Sequence, residues 1–169
     1  MNMELGYTIP LQRYLKMEKP LPQKAETTSF FCWDLHLLTV QGRKAVLAMN
    51  CNSRYSILLY DMKETDWPCL PDLIESEIKV AILREGLSKF EATRYFALGG
   101  PQKISPPHGP NPAERLNCAM AALIQQFPLL DESRLSQPRL CHVLNGGTSD
   151  VEGFSGKPRE VFLAGFRWL

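Results

Sequence analysis

The sequence predicts an α+β fold: a three-stranded, or slightly larger, antiparallel meander packed with about four helices. Three observations carry this reading. Apolar alternation runs from Phe30 to Tyr60 and is broken by two short turns. Helical periodicity with capping signals recurs from Leu70 onward. The chain has 169 residues, enough for one sizeable core that needs neither disulfides nor metal.

The strands are read first. Gln41-Gly42 lies between two apolar runs and reads as a tight hairpin, Gly supplying the positive φ. A two-residue loop sets the register: Val40 faces Arg43, Leu37 faces Val46, and Trp33 faces Asn50. A second turn over Asn50-Cys51-Asn52-Ser53 leads into a third strand through Tyr60. Phe31, Trp33, Leu35 and Leu37 alternate onto one face, while Leu38, Val40, Ala45, Leu47 and Met49 give the other an apolar character too. Both faces are therefore expected to be covered, at least in part.

Helices follow. Leu70, Leu73, Ile74, Ile78, Ala81 and Ile82 form one stripe over Leu70 to Glu85, closed by Gly86. Ser88-Lys89-Phe90-Glu91 is a capping box opening a second helix that ends by Gly99. Asn111-Pro112-Ala113-Glu114 starts a third, with Asn as cap and a core face through Phe127. Pro158 starts a fourth, through Trp168. Near the start, Met3 to Tyr7 reads as a short strand leading into a helix from Leu11 to Met17. The whole is read as one domain over 1–169. Within it, 1–22 is a peripheral N-terminal unit set off by Pro20-Leu21-Pro22, and 143–157 is a flexible Gly-rich loop.

Composition excludes several classes. Nineteen Lys and Arg against eighteen Asp and Glu leave a net charge of +1, so there is neither a polybasic arm nor an acidic tail. The longest uncharged stretch, Leu116 to Leu130, contains Asn117, Gln125, Gln126 and Pro128 and falls short of the ~20 apolar residues of a membrane helix. Met1 to Lys16 lacks an apolar signal core, so no membrane partner and a cytoplasmic location are expected. Five cysteines, at 32, 51, 69, 118 and 141, include no C-x-x-C pair and read as reduced, mostly buried thiols.

The chemistry-bearing residues are sparse. Asp34 and His36 share a strand face, but no spacing supplies a third ligand, so no metal and no cofactor are expected. Cys141 and His142 are adjacent and diverge, and His108 lies in a Pro-rich connector where solvation is expected. No G-x-S-x-G elbow, phosphate-binding loop or G-x-G-x-x-G occurs, so no catalytic residue is assigned. The hairpin register does bring Trp33, Asn50 and Arg54 to one end of the sheet, offering an indole, an amide and a guanidinium to a partner. The competing reading is that Arg54 stacks on Trp33 while Asn50 satisfies the turn. Arg43, Arg54 and Arg115 also belong to a set of basic side chains able to form a patch.

Trp33, Leu37, Thr39, Arg43-Lys44, Val46, Asn50 and Arg54-Tyr55 form a pattern in order and spacing, continued by Asp66-Trp67, Glu85-Gly86, Arg115-Leu116-Asn117 and Pro158-Arg159-Glu160. This pattern resembles a family of uncharacterised bacterial domains of unknown function, whose members often precede a plasmid open-reading-frame-three-like domain. The resemblance implies a bacterial or phage-borne intracellular module and adds Asn117 to the candidate positions. It implies no activity.

Two functions are therefore expected from the sequence. The first is a non-catalytic binding or regulatory module for a protein or small-molecule partner, recognised through Trp33, Asn50, Arg54, Arg43, Arg115 and Asn117. The alternative is a nucleic-acid-associated accessory protein, or an enzyme using dispersed polar residues.

Overall fold

A computed structural model describes residues 2–19, 21, 28–109, 111–151 and 154–169, without the side chains of 149–151. In chain order the elements are β1 (Met3–Tyr7), α1 (Ile9–Tyr14), β2 (Cys32–Val40), β3 (Arg43–Asn50), β4 (Ser56–Tyr60), α2 (Leu70–Arg84), α3 (Lys89–Gly99) and β5 (Gln102–Ser105). Then come α4 (Pro112–Gln125), α5 (Pro138–Gly146), a hairpin of β6 (Ser149–Val151) with β7 (Phe154–Gly156), and α6 (Pro158–Phe166).

The meander forms in the expected register. Trp33 pairs with Asn50, Leu37 with Val46 and Val40 with Arg43, and β4 continues antiparallel to β3. Gln41 and Gly42 take φ of 49° and 77°, the left-handed pair that a two-residue hairpin needs.

The sheet is nevertheless mixed rather than purely antiparallel. It has five strands in the order β4-β3-β2-β1-β5, with β1 parallel to both β2 and β5. The N-terminal segment is thus corrected from a peripheral unit to a source of an interior strand. All five residues of β1 are buried, and an interior position in a parallel triplet demands that. Six α-helices are described instead of about four: α1 lies where the sequence places its short N-terminal helix, starting two residues earlier, and α5 has no counterpart in the sequence reading. Part of 143–157, read as a loop, belongs to α5 and to the β6–β7 hairpin, while residues 152 and 153 of that stretch lie outside the described residues.

The helices cover both faces. On one, Leu5, Trp33, Leu35, Ala48 and Ile57 meet Ile74 and Ile78 of α2, Tyr95 of α3 and Phe162 of α6. On the other, Leu38, Val40, Leu47, Leu58 and Tyr60 meet Leu123 of α4 and Leu140 of α5. Caps follow the sequence at α3, where Ser88 and Glu91 form the complete capping box. They depart from it at α4. Asn111 there takes a left-handed φ of 49° and makes no side-chain cap, and Pro112 opens the helix instead.

Candidate functional site

The second face of the sheet is apolar at the β2–β3 hairpin end and polar toward β1. Strand periodicity explains the change. Glu4 and Gly6 of β1 lie beside Cys32 and Asp34 of β2, and alternate residues share a face. Their flanking residues, Met3, Leu5, Trp33 and Leu35, enter the opposite core. Two buried carboxylates are therefore turned to the same side in adjacent strands.

His108 covers them. It sits three residues past β5, and its Nε2 lies 2.7 Å from Glu4 Oε2 while its Nδ1 lies 2.7 Å from Asp34 Oδ1. Its backbone N–H also donates to Asp34, at 3.0 Å. Both carboxylates are inaccessible, and the imidazole keeps only 12% of its side-chain surface. Each ring nitrogen faces a carboxylate, so both carry protons and the ring is an imidazolium. Burial opposes that charge. The hydrogen bonds to Asp34 and to the thiols of Cys32 and Cys51 outweigh it and push His108 up to about 12. The connector expected to be solvated is thus the lid of a buried ion network.

Gly6 makes the contact possible. A Cβ at this position would lie 2.2 Å from Asp34 Oδ1 and 2.9 Å from His108 Nδ1. Any side chain here would displace the pair.

Arg115, in the first turn of α4, extends the network. Its Nη2 lies 3.3 Å from Asp34 Oδ2 and also donates to the His108 carbonyl. Arg54, at a left-handed φ of 63° in the β3–β4 turn, approaches from the other side. Its guanidinium donates to the Cys51 carbonyl at 3.2 Å and lies 5.8 Å from the Phe154 ring. Burial and then the charge of Arg115 lower the pKa of Arg54, as two cations sharing partly desolvated space require.

Both guanidinium groups line one cleft of about 190 Å³. Its wall is apolar where Met49, Ala119, Ala122, Val143 and Leu144 contribute, and polar where Ser56, Gln125, Gln126, Gly147 and Thr148 do. Nε of Arg54 and Nε of Arg115 are buried without a hydrogen-bond partner. Asn145 holds the cleft together: it accepts from Ser56 N at 2.7 Å and donates to the Ser56 and Cys141 carbonyls, pinning the end of α5 to β4.

The structure separates the residues that the sequence grouped. Trp33 is fully buried in the opposite core and donates from its indole N–H to Tyr95 at 3.0 Å. Asn50 is also fully buried. It donates to the Phe30 and Cys32 carbonyls and accepts from Asn52 N, Ser53 N and Ser53 Oγ. Arg54 does not reach Trp33. Arg43 is exposed at the hairpin end of the sheet and pairs with Asp61 at 2.5 Å. It lies seven strand residues from Asn50, roughly 23 Å along β3. Asn117 is exposed on α4. Of the grouped residues, Trp33 and Asn50 remain register partners inside the fold, and Arg54 and Arg115 line one cleft.

Glu4, Asp34, His108 and the two thiols were not legible as a group. A weak signal existed, since Glu4 and Asp34 are single acids flanked on both sides by apolar strand residues. Such acids are buried only when paired. The partner, 74 residues from Asp34, has no local signature. Metal-ligating atoms also meet here. Glu4, Cys32 and His108 place theirs within 4.8 Å of one another, and so do Asp34, Cys51 and His108.

Fold and site together define an α+β domain in which a buried ion network flanks an arginine-lined cleft. Residues 4–150 match the family described as Domain of unknown function (DUF6933), and the chain belongs to that family. The matched span takes in every residue of the ion network and both cleft arginines. A search of curated proteins found no match.

Proposed function

We infer that this domain is a non-catalytic binding module for a small organic anion, held by its charged group at Arg54 and Arg115 and by an apolar body along α4 and α5. One observation carries the reading. Two guanidinium groups converge at a cleft, each with a buried Nε that has no hydrogen-bond partner. Planar guanidinium donors fit carboxylate and phosphate oxygens in pairs, and a bound anion relieves the repulsion between the two cations.

Charge counting supports the same reading. Arg54, Arg115 and His108 oppose Glu4 and Asp34, an excess of one positive charge in this part of the described structure. Ala119 and Ala122 of α4 and Val143 of α5 provide the surface for a short apolar chain. Binding without catalysis is supported by the state of the neighbouring groups. Both nitrogens of His108 are engaged by carboxylates, and burial pushes the Cys51 thiol up to about 12, far from a reactive thiolate. Among the described residues no helix is long and apolar enough to cross a membrane. With its cysteines free, the module suits the reducing interior of a bacterial cell.

Calorimetric titration with butyl phosphate and with inorganic phosphate tests the reading. Butyl phosphate should bind more tightly than phosphate, and Arg54→Gln should weaken it about tenfold or more. Absence of saturable binding, or equal binding by Arg54→Gln, rejects it.

A further inference from the structure

We propose that Glu4, Cys32 and His108 Nε2 form a binding site for a zinc-class divalent metal ion, with Asp34 orienting the imidazole from the other nitrogen. The donor set argues for that class. One thiol, one imidazole and one carboxylate within 4.8 Å of one another combine the sulfur, nitrogen and oxygen ligands that zinc accepts together. Structural paired acids do not need a cysteine, and here Cys32 is buried beside them at 2% exposure.

The surroundings resemble an outer shell already built. A metal-bound histidine commonly donates its second N–H to a carboxylate, which fixes the ring. His108 Nδ1 lies 2.7 Å from Asp34, and Asp34 is itself held by the His108 backbone N–H and by Arg115. Gly6 leaves the space for that contact. A site using Asp34 and Cys51 instead would place the metal on a carboxylate already shared with Arg115.

Coordination balances by proton release: the ion bonds to Nε2, to the Cys32 sulfur as a thiolate and to the Glu4 carboxylate, and any proton on those atoms leaves to solvent. This inference is independent of the anion cleft.

The test is a titration of the chelator-stripped full chain with Zn²⁺ against a chromophoric chelator, and with Co²⁺ followed by absorption. One equivalent should bind, and Co²⁺ should show a charge-transfer band of one thiolate. Cys32→Ser should abolish that band and weaken zinc by more than the ~10–100-fold that loss of an outer partner costs. Cys69→Ser and Cys118→Ser, at exposed thiols, should bind as the unsubstituted chain does. Failure to bind one equivalent, a Co²⁺ complex with no thiolate or with two, or a band lost in Cys51→Ser and kept in Cys32→Ser would each overturn the proposal. If Cys32→Ser does not fold, the thiolate count in the unsubstituted chain still decides it.

Discussion

His108 Nδ1 and Asp34 Oδ1 are 74 residues apart in sequence and 2.7 Å apart in space, in a gap left open by the missing side chain of Gly6. This contact ties the β5–α4 connector to the middle of the sheet. It also sets where α4 begins, because Arg115 in its first turn bonds to both partners. The position of α4 in turn forms one wall of the cleft.

Gly6→Ala should therefore destabilise the fold by roughly 2–4 kcal/mol, since overpacking is joined by disruption of a buried ion pair. Urea unfolding of the two proteins measures this. A change below about 0.5 kcal/mol, the range of neutral surface substitutions, would show that His108 and Asp34 do not meet over Gly6.

Asn50→Ala should act on stability and not on ligand binding. The Asn50 amide is fully buried, organises the 51–54 turn through three hydrogen bonds and holds the Phe30 and Cys32 carbonyls through two more. Leaving those partners unsatisfied should cost roughly 2–4 kcal/mol in denaturant melts. Trp33→Phe should lose stability as well, because its indole N–H is bonded to Tyr95 in the interior. A folded Trp33→Phe protein that is fully stable but binds butyl phosphate poorly would return Trp33 to the recognition surface.

The contrast shows what was legible. The meander, its register and the starts of α2, α3, α4 and α6 follow from alternation, helical periodicity, a Gln-Gly turn and capping or proline residues, all of them local. The parallel pairing of β1 with β2 and β5 was not, because a crossover connection leaves no two-residue turn to mark it. The site divides in the same way. Arg54 and Arg115 were visible as basic positions, but the sequence could not say that one leaves the β3–β4 turn toward the face α4 covers. Trp33 and Asn50 were correctly placed opposite each other in register. Alternation also put Trp33 on one face with Phe31, Leu35 and Leu37; what Trp33 and Asn50 meet there depended on α3 and on the segment at Phe30.

His36 should give the fold a mild acid sensitivity. Burial lowers its pKa below the ordinary value of 6.5, and its Nδ1 lies 3.0 Å from the Thr8 hydroxyl. The neutral ring is thus favoured in the folded state, while the unfolded chain takes a proton first as pH falls. Stability from this group is complete above pH 6.5 and is lost as pH falls through the folded value. Chemical denaturation at pH 7.5 and at steps down to pH 5 should show a decline that His36→Gln reduces. An equal decline in both proteins would assign it to other groups.

The arginine-lined cleft is the centre of the proposed function. The direct measurement is a ¹H–¹⁵N NMR titration of the full chain with butyl phosphate, resolved by residue. Saturable shifts should centre on the backbone amides of Arg54, Ser56, Arg115, Ala119, Gly147 and Thr148, which surround the cleft, and Arg54→Gln should remove them. Saturable shifts confined to Arg43 and the hairpin end, or no saturable shift at all, would contradict it.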